Sequence, residues 1–231
     1  MFSVYLAAFA ILWWVGLETA AFRKGASTGI LFVKNRKHND LNHKMEHALW
    51  KLIGYGSSTI IGLAMLAAEP WFSNPTKYNI FSGDGSIRVS SLVIGYSHLM
   101  FGWYTYDLIK LLLSCVAKKN PDSDFIEILV HHTVSLASLV SAMINNYICF
   151  AVIVLWIHDV ADPFLYLAKI FVYKSHLQLE INDTRAQSFH LIADVMLILY
   201  QSIFFAALNG FYPYLIYVAF MSNIYTCNHG G

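Results

Sequence analysis

The amino-acid sequence predicts an all-α, polytopic membrane protein with about seven transmembrane helices. Three observations carry that expectation. Of the 231 residues, 57% are hydrophobic and only 13% are charged, with a mean hydropathy of +0.52; soluble domains hold about 25% charged residues. Apolar runs of about 20 residues, the length that crosses a bilayer, recur along the whole chain. The lysines and arginines gather in alternate connections between those runs.

The runs fall at about 2–22, 51–69, 88–116, 125–144, 147–173, 189–208 and 211–227. The first is apolar from its second residue, and its positive charge, Arg23-Lys24, comes after it. A cleavable signal would place the charge first, so an anchor helix is expected. In the loop 23–50, Asp40 is a candidate cap for a short interfacial helix. Leu41, Met45, Ala48, Leu49 and Leu52 recur there at helical spacing and lead into the second span. Pro70-Trp71-Phe72 closes that span with an aromatic pair expected at the interface. On the third span, Tyr96, Trp103, Asp107 and Lys110 share a face, with Asp107 and Lys110 expected to pair at i, i+3. The fourth and fifth spans are interrupted by histidines and aspartates. The sixth carries the lone acid Asp194, and the seventh is short. His98 and His190 are expected as satisfied interfacial histidines.

Charge sets the expected orientation. The first set of loops, with nearby span ends, holds Arg23, Lys24, Lys34, Arg36, Lys37, Lys44, Lys51, Lys110, Lys118, Lys119, Lys169, Lys174 and Arg185; the other holds Lys77 and Arg88. Positive residues favour the cytoplasmic side, which puts the N-terminus outside and the C-terminus inside. The basic residues are too few and too scattered for nucleic-acid binding. Cys115, Cys149 and Cys227 show no metal or disulfide spacing and are expected as buried small hydrophobes.

Ionisable groups within spans are costly and mark functional sites. On the fourth span, Glu127, His131, Ser135, Ser138, Ala142 and Asn145 line one stripe, with His132 about 100° away. On the fifth, His158, Asp162, Tyr166 and Lys169 share a face, with Asp159 about 60° off it. The connection at Asn145-Asn146-Tyr147 is short, so the two helices are expected to pack antiparallel and bring these faces into one cavity in the inner half of the bilayer. A metal site is disfavoured because adjacent histidines diverge on a helix, and a proton path because few polar groups reach the outer side. Acyl transfer needs an imidazole, a carboxylate to fix its tautomer and polar groups to hold a carbonyl; this set matches that list best. Of the two histidines, His131 is the preferred reactive imidazole.

The stretch from Asp124 through Glu127 to His131-His132, followed by Ser141, Asn145, His158-Asp159-x-x-Asp162 and Leu165 to Lys169, resembles the longevity-assurance motif. That motif marks the ceramide synthases within the TLC (TRAM, longevity-assurance, CLN) domain superfamily. Lys44-Met45-Glu46 through Trp50-Lys51 and Glu69 to Phe72 are similar to the opening of the same domain. The resemblance covers about residues 44–226. It divides the chain into an N-terminal anchor helix with a basic inner loop, 1–43, and a TLC-like domain, 44–231.

The resemblance implies a six-helix barrel and an acyl-CoA-dependent N-acyltransferase that joins an acyl chain to a sphingoid base. His131 or His132 would then act as nucleophile or general base, with Asp159 and Asp162 orienting the imidazoles and His158 assisting. Glu127, Ser135, Ser138, Asn145 and Lys169 would hold substrate, Lys169 favouring the CoA phosphates. No cofactor or metal is implied; acyl-CoA is a co-substrate, and membrane lipids are the surroundings. The family default is the endoplasmic reticulum, and a mitochondrial inner membrane fits the same charge pattern. Tyr166 stands where the family often has an acid, and the usual Arg-x-Gly is replaced by Tyr147 to Phe150. These departures admit an alternative: a non-catalytic accessory subunit or lipid-binding scaffold of a larger membrane complex. The partners expected are membrane lipids, acyl-CoA and a sphingoid base, with a homo-oligomer or a larger membrane complex as the assembly.

Overall fold

The structure, a computed structural model, describes residues 4–28, 39–73, 89–117, 125–179, 183–218 and 221. Among them every regular element is helical: α1 (Val4–Thr28), α2 (Asn39–Ala68), α3 (Pro70–Ser73), α4 (Ser91–Ala117), α5 (Phe125–Ile144), α6 (Ile148–Asp159), α7 (Asp162–Leu179) and α8 (Asp183–Ala206), followed by a π-helical turn, Ala207–Phe211. Five helical stretches are long and apolar enough to cross a membrane: Leu41–Ala68, Ser91–Val116, Phe125–Ile144, Ile148–Leu179 and Asp183–Val218. α1 is apolar over Ala8–Ala20. The chain is an all-α polytopic membrane protein. A bilayer offers the backbone no hydrogen-bond partners, so helices that satisfy their own are the form such apolar runs must take.

Two expected boundaries move. The fifth span is not one helix: it breaks at Val160-Ala161, between α6 and α7. Pro163 has no N–H to bond the carbonyl four residues back, at Asp159, and the next amide, Phe164, bonds Ala161 instead at 3.0 Å. The connection expected at 209–210 is absent, because the helix runs on through the π turn to residue 218. Asn209 donates its side-chain amide to the Phe205 carbonyl at 3.0 Å. Its polarity is satisfied within the helix and calls for no turn.

The chain divides into two compact units: Met1–Gly16 with Ile61–Trp156 and Tyr214–Gly231, and Leu17–Ile60 with Ile157–Pro213. In the first, Gly102 of α4 meets Ala10 of α1. A Cβ on Gly102 would lie 2.8 Å from the Ala10 carbonyl carbon, so only glycine permits this approach. One turn further along α1, Trp14 donates its indole N–H to the Leu99 carbonyl at 3.2 Å and packs on Trp103, centroids 4.7 Å apart. Ser90 caps α4: its hydroxyl accepts from the Val93 amide at 3.2 Å and donates to the Glu69 carboxylate. Trp71, expected at the interface, is buried by the short α3 turn.

α5 ends where the short connection is expected. Asn146 adopts a positive φ of 62°, and the Tyr147 amide reaches back to the Ala142 carbonyl at 2.8 Å. This is the pattern of a left-handed cap that satisfies a carbonyl of the last helical turn. Asparagine tolerates that conformation better than most residues.

In the second unit α7 and α8 pair closely. Ser175 donates to the Ala186 carbonyl at 2.9 Å, Phe171 stacks on Phe189, and His176 meets His190 edge-on at 5.9 Å. His98, in the first unit, contacts the Ile94 carbonyl through Nδ1 at 2.8 Å. His98 is buried and has a backbone partner, whereas His190 is exposed with the His176 ring beside it. Cys149 is buried and Cys115 partly so, both as free thiols. The Asp40 side chain and Cys227 lie outside the described residues.

Candidate functional site

The candidate residues fall into two groups, one in each unit. In the first, α4 presents Tyr104 and Asp107, three residues apart and therefore on one face. α5 supplies His131 and His132. Asp107 Oδ2 lies 2.6 Å from His132 Nε2, with the two side chains 3% and 0% exposed. Lys110 sits over the Tyr106 ring at 5.9 Å, one turn back on α4. A buried carboxylate is costly unless an opposite charge or hydrogen-bond donor meets it, and His132 does so from the neighbouring helix. Tyr104, fully buried, meets the His132 ring edge-on at 5.3 Å and tilts against His131 at 6.0 Å. The two imidazoles are themselves edge-on at 5.2 Å.

The α5 stripe is spread over surroundings of several kinds. Ala142 is buried and His131 and Ser135 are half-buried, while Glu127, Ser138 and Asn145 are exposed. Asn145 donates to the Ser141 carbonyl at 2.8 Å, so its amide serves the helix end. The face of α5 that the protein covers most runs through His132, Leu139 and Ala142.

In the second unit the His-Asp-x-x-Asp residues straddle the α6–α7 break. His158 and Asp159 end α6, and Asp162 opens α7. The break, not a continuous helix face, sets their relative directions. α2 supplies the surroundings through Lys51, Tyr55 and Ser58, spaced i, i+4, i+7 on one face. Ser58 donates its hydroxyl to Asp159 Oδ2 at 3.0 Å, both side chains buried. Tyr55 stacks on Tyr166, centroids 5.5 Å apart and rings within 7° of parallel. Lys51 is 2% exposed and acts electrostatically on Asp162, as do Lys169 and Asp159. Lys169 Nζ lies 5.3 Å from the Tyr166 ring centroid. Asp194, the lone acid of the apolar run 189–208, is exposed.

Four residues of these groups lie outside the His-His and His-Asp-x-x-Asp motif. Tyr104 and Ser58 look like ordinary span residues, Lys51 like one more inner-side lysine, and Asp107 like half of a local pair. The shared face of Asp107 with Tyr96 and Trp103 was the one available signal for the last.

A family model for the TLC domain matches residues 44–230. The chain belongs to the TLC-domain family. Ceramide synthase LOH1 of Arabidopsis thaliana is 31% identical over 145 residues, covering 61% of this chain and 46% of that protein. Ceramide synthase 3 of Homo sapiens is 26% identical over 145 residues, 63% of this chain and 36% of that protein. Alternaria stem canker resistance protein 1 of Solanum lycopersicum is 22% identical over 190 residues, 81% and 56%. The TLC-domain chain thus spans roughly half the length of such relatives or less. No solved structure matches it.

Proposed function

We propose that this TLC-domain protein is an acyl-CoA-dependent N-acyltransferase of ceramide-synthase type, forming an amide on a sphingoid base within the membrane. The observation that carries the proposal is the set His131, His132, His158, Asp159 and Asp162, all on helical stretches long and apolar enough to cross a membrane, in a chain whose relatives are named ceramide synthases. Histidine can carry acyl groups and move protons near neutral pH.

The chemistry divides into two steps. An imidazole nitrogen attacks the thioester carbonyl, and CoA leaves as the thiol once the ring's proton is passed on, giving an acyl-imidazole. The neutral amine then attacks that carbonyl, expels the imidazole and forms the amide. His131 suits the first step because it is half-buried whereas His132 is sealed. The acceptor arrives as an ammonium and must lose a proton before it attacks. Asp159, Asp162 and His158 have the chemistry to hold and accept it. Lys169 supplies positive charge toward the CoA phosphates, and Glu127, Ser135, Ser138 and Asn145 contribute polar contacts to substrate. The reaction needs acyl-CoA as co-substrate and no bound cofactor. The proposed orientation, N-terminus outside and C-terminus inside, opens the site to cytosolic acyl-CoA, with the endoplasmic reticulum as the family's default compartment.

The test uses the purified chain in lipid nanodiscs with acyl-CoA and sphinganine. Formation of the amide, together with an acyl-enzyme that hydroxylamine releases and that His131→Ala abolishes, supports the reading. Neither product nor trapped acyl group sinks it. Tyr166 favours a second reading, a non-catalytic accessory subunit or lipid-binding scaffold, because it is buried against Tyr55 where the motif often has an acid. Stable stoichiometric association with a larger complex, unaffected by His131→Ala, would favour that reading.

A further inference from the structure

Asp107 lies outside both halves of the histidine-aspartate motif, on a helix that contributes no motif residue. Its carboxylate nevertheless meets the second motif histidine at 2.6 Å in a place closed to solvent. At that distance Nε2 is the ring nitrogen that would carry the proton in a neutral His132, which would leave Nδ1 as the acceptor. Tyr104, one turn earlier on α4, holds the same ring edge-on. Two contacts from one face of α4 therefore fix His132, and His132 with Tyr104 forms the surface against which His131 packs at 5.2 and 6.0 Å.

We propose that Asp107 is a positioning residue for acyl transfer: by anchoring His132 it holds the adjacent His131 ring in the direction from which it reacts. The proposal rests on the acyltransferase reading above. It assigns Asp107 no contact with substrate, and its effect belongs in kcat and not in KM.

The experiment compares the wild-type chain with Asp107→Asn and Asp107→Glu in nanodiscs, each checked by thermal melting. Asn keeps the size of the side chain but loses the charge, and is expected to lower kcat on the order of a hundredfold while KM for acyl-CoA stays the same; Glu is expected to recover part of the loss. In parallel, 15N-histidine NMR of the wild-type chain, with His132 assigned by its loss in His132→Gln, is expected to show the Nε2–H tautomer. An unchanged kcat in Asp107→Asn overturns the proposal. So does a loss of activity that only follows a loss of melting temperature and that Glu does not restore. A wild-type His132 protonated on Nδ1 overturns it without any turnover measurement, even where the variants fail to fold. A wild-type chain that makes no amide overturns the acyltransferase reading itself, which is a separate outcome.

Discussion

Lys51 shows how a single residue escapes a statistical rule. Lysines near span ends normally let the ammonium reach water along a flexible stem, and by position Lys51 belongs with the inner-side lysines. Instead it is buried and acts on Asp162 beside the sealed Asp159. Asp162 feels the negative charge of Asp159, and the positive charges of Lys51 and Lys169 oppose it. Lys51→Met keeps the stem's bulk and removes the charge; removing one member of a buried charged group leaves the other uncompensated, at a cost on the order of 3 kcal/mol. The melting temperature in detergent should fall accordingly. The double variant Lys51→Met/Asp162→Asn should lose less than the sum of the two single changes, because the sites are coupled. Additive losses would show that Lys51 is not opposite these carboxylates. Gly62 gives a second test of the same kind. A Cβ there would run into the Trp156 ring and lie 2.9 Å from the Tyr96 hydroxyl, so Gly62→Ala should destabilise by about 1–3 kcal/mol from overpacking, read from the same melts.

At the scale of elements, the close approach of α1 to α4 rests on Gly102. Its neighbours are the Ala10 Cβ and backbone, and backbone cannot rotate away as a side chain can. Gly102→Ala should lower the melting temperature, and adding Ala10→Gly should restore only part of it, since the Ala10 carbonyl carbon remains at 2.8 Å. Full restoration would mean that the backbones are not in contact. Most elements were legible in the sequence because each is an unbroken apolar run that hydropathy detects. α2 was legible even in its polar first half, where Met45 and Ala48 recur at helical spacing and are both buried. The errors came from residues with two local meanings. Pro163 was visible but sits inside an apolar run, and its missing N–H broke a helix that hydropathy joins. Asn209-Gly210 looks like a turn, but an asparagine can instead bond to its own helix, as this one does. The site was legible in part for a related reason. Motif spacing identifies residues along one helix, whereas the pairing of Asp107 with His132 and of Ser58 with Asp159 joins helices, and no single-helix period contains it.

For the whole molecule, the asymmetry of charge is the property that links the fold to the proposed substrate. Thirteen of the 15 lysines and arginines fall on one set of connections and span ends, a bias that orients membrane proteins during insertion. CoA carries several phosphate charges, and a basic surface raises the local concentration of such an anion. If the proposed orientation is right, single cysteines introduced at Lys118 or Lys174 in sealed microsomes should resist a membrane-impermeant maleimide added from the lumenal side and react from the cytosolic side. Cysteines at Lys77 or Arg88 should show the reverse. The C-terminal segment adds a sharper case. Asp183–Val218 is 36 residues of continuous helix, about 54 Å at 1.5 Å per residue, against a hydrocarbon core of about 30 Å. A helix of that length extends well beyond one crossing. A seven-span topology with an inner C-terminus needs the chain to turn back near 209–210, and an unbroken single crossing does not. A cysteine at Gly210 that labels only from the lumen, with one at Gly231 labelling from the cytosol, would establish the seven-span arrangement. Both labelling from the lumen would establish six spans and place the two termini on the same side, with the cytosolic basic face unchanged.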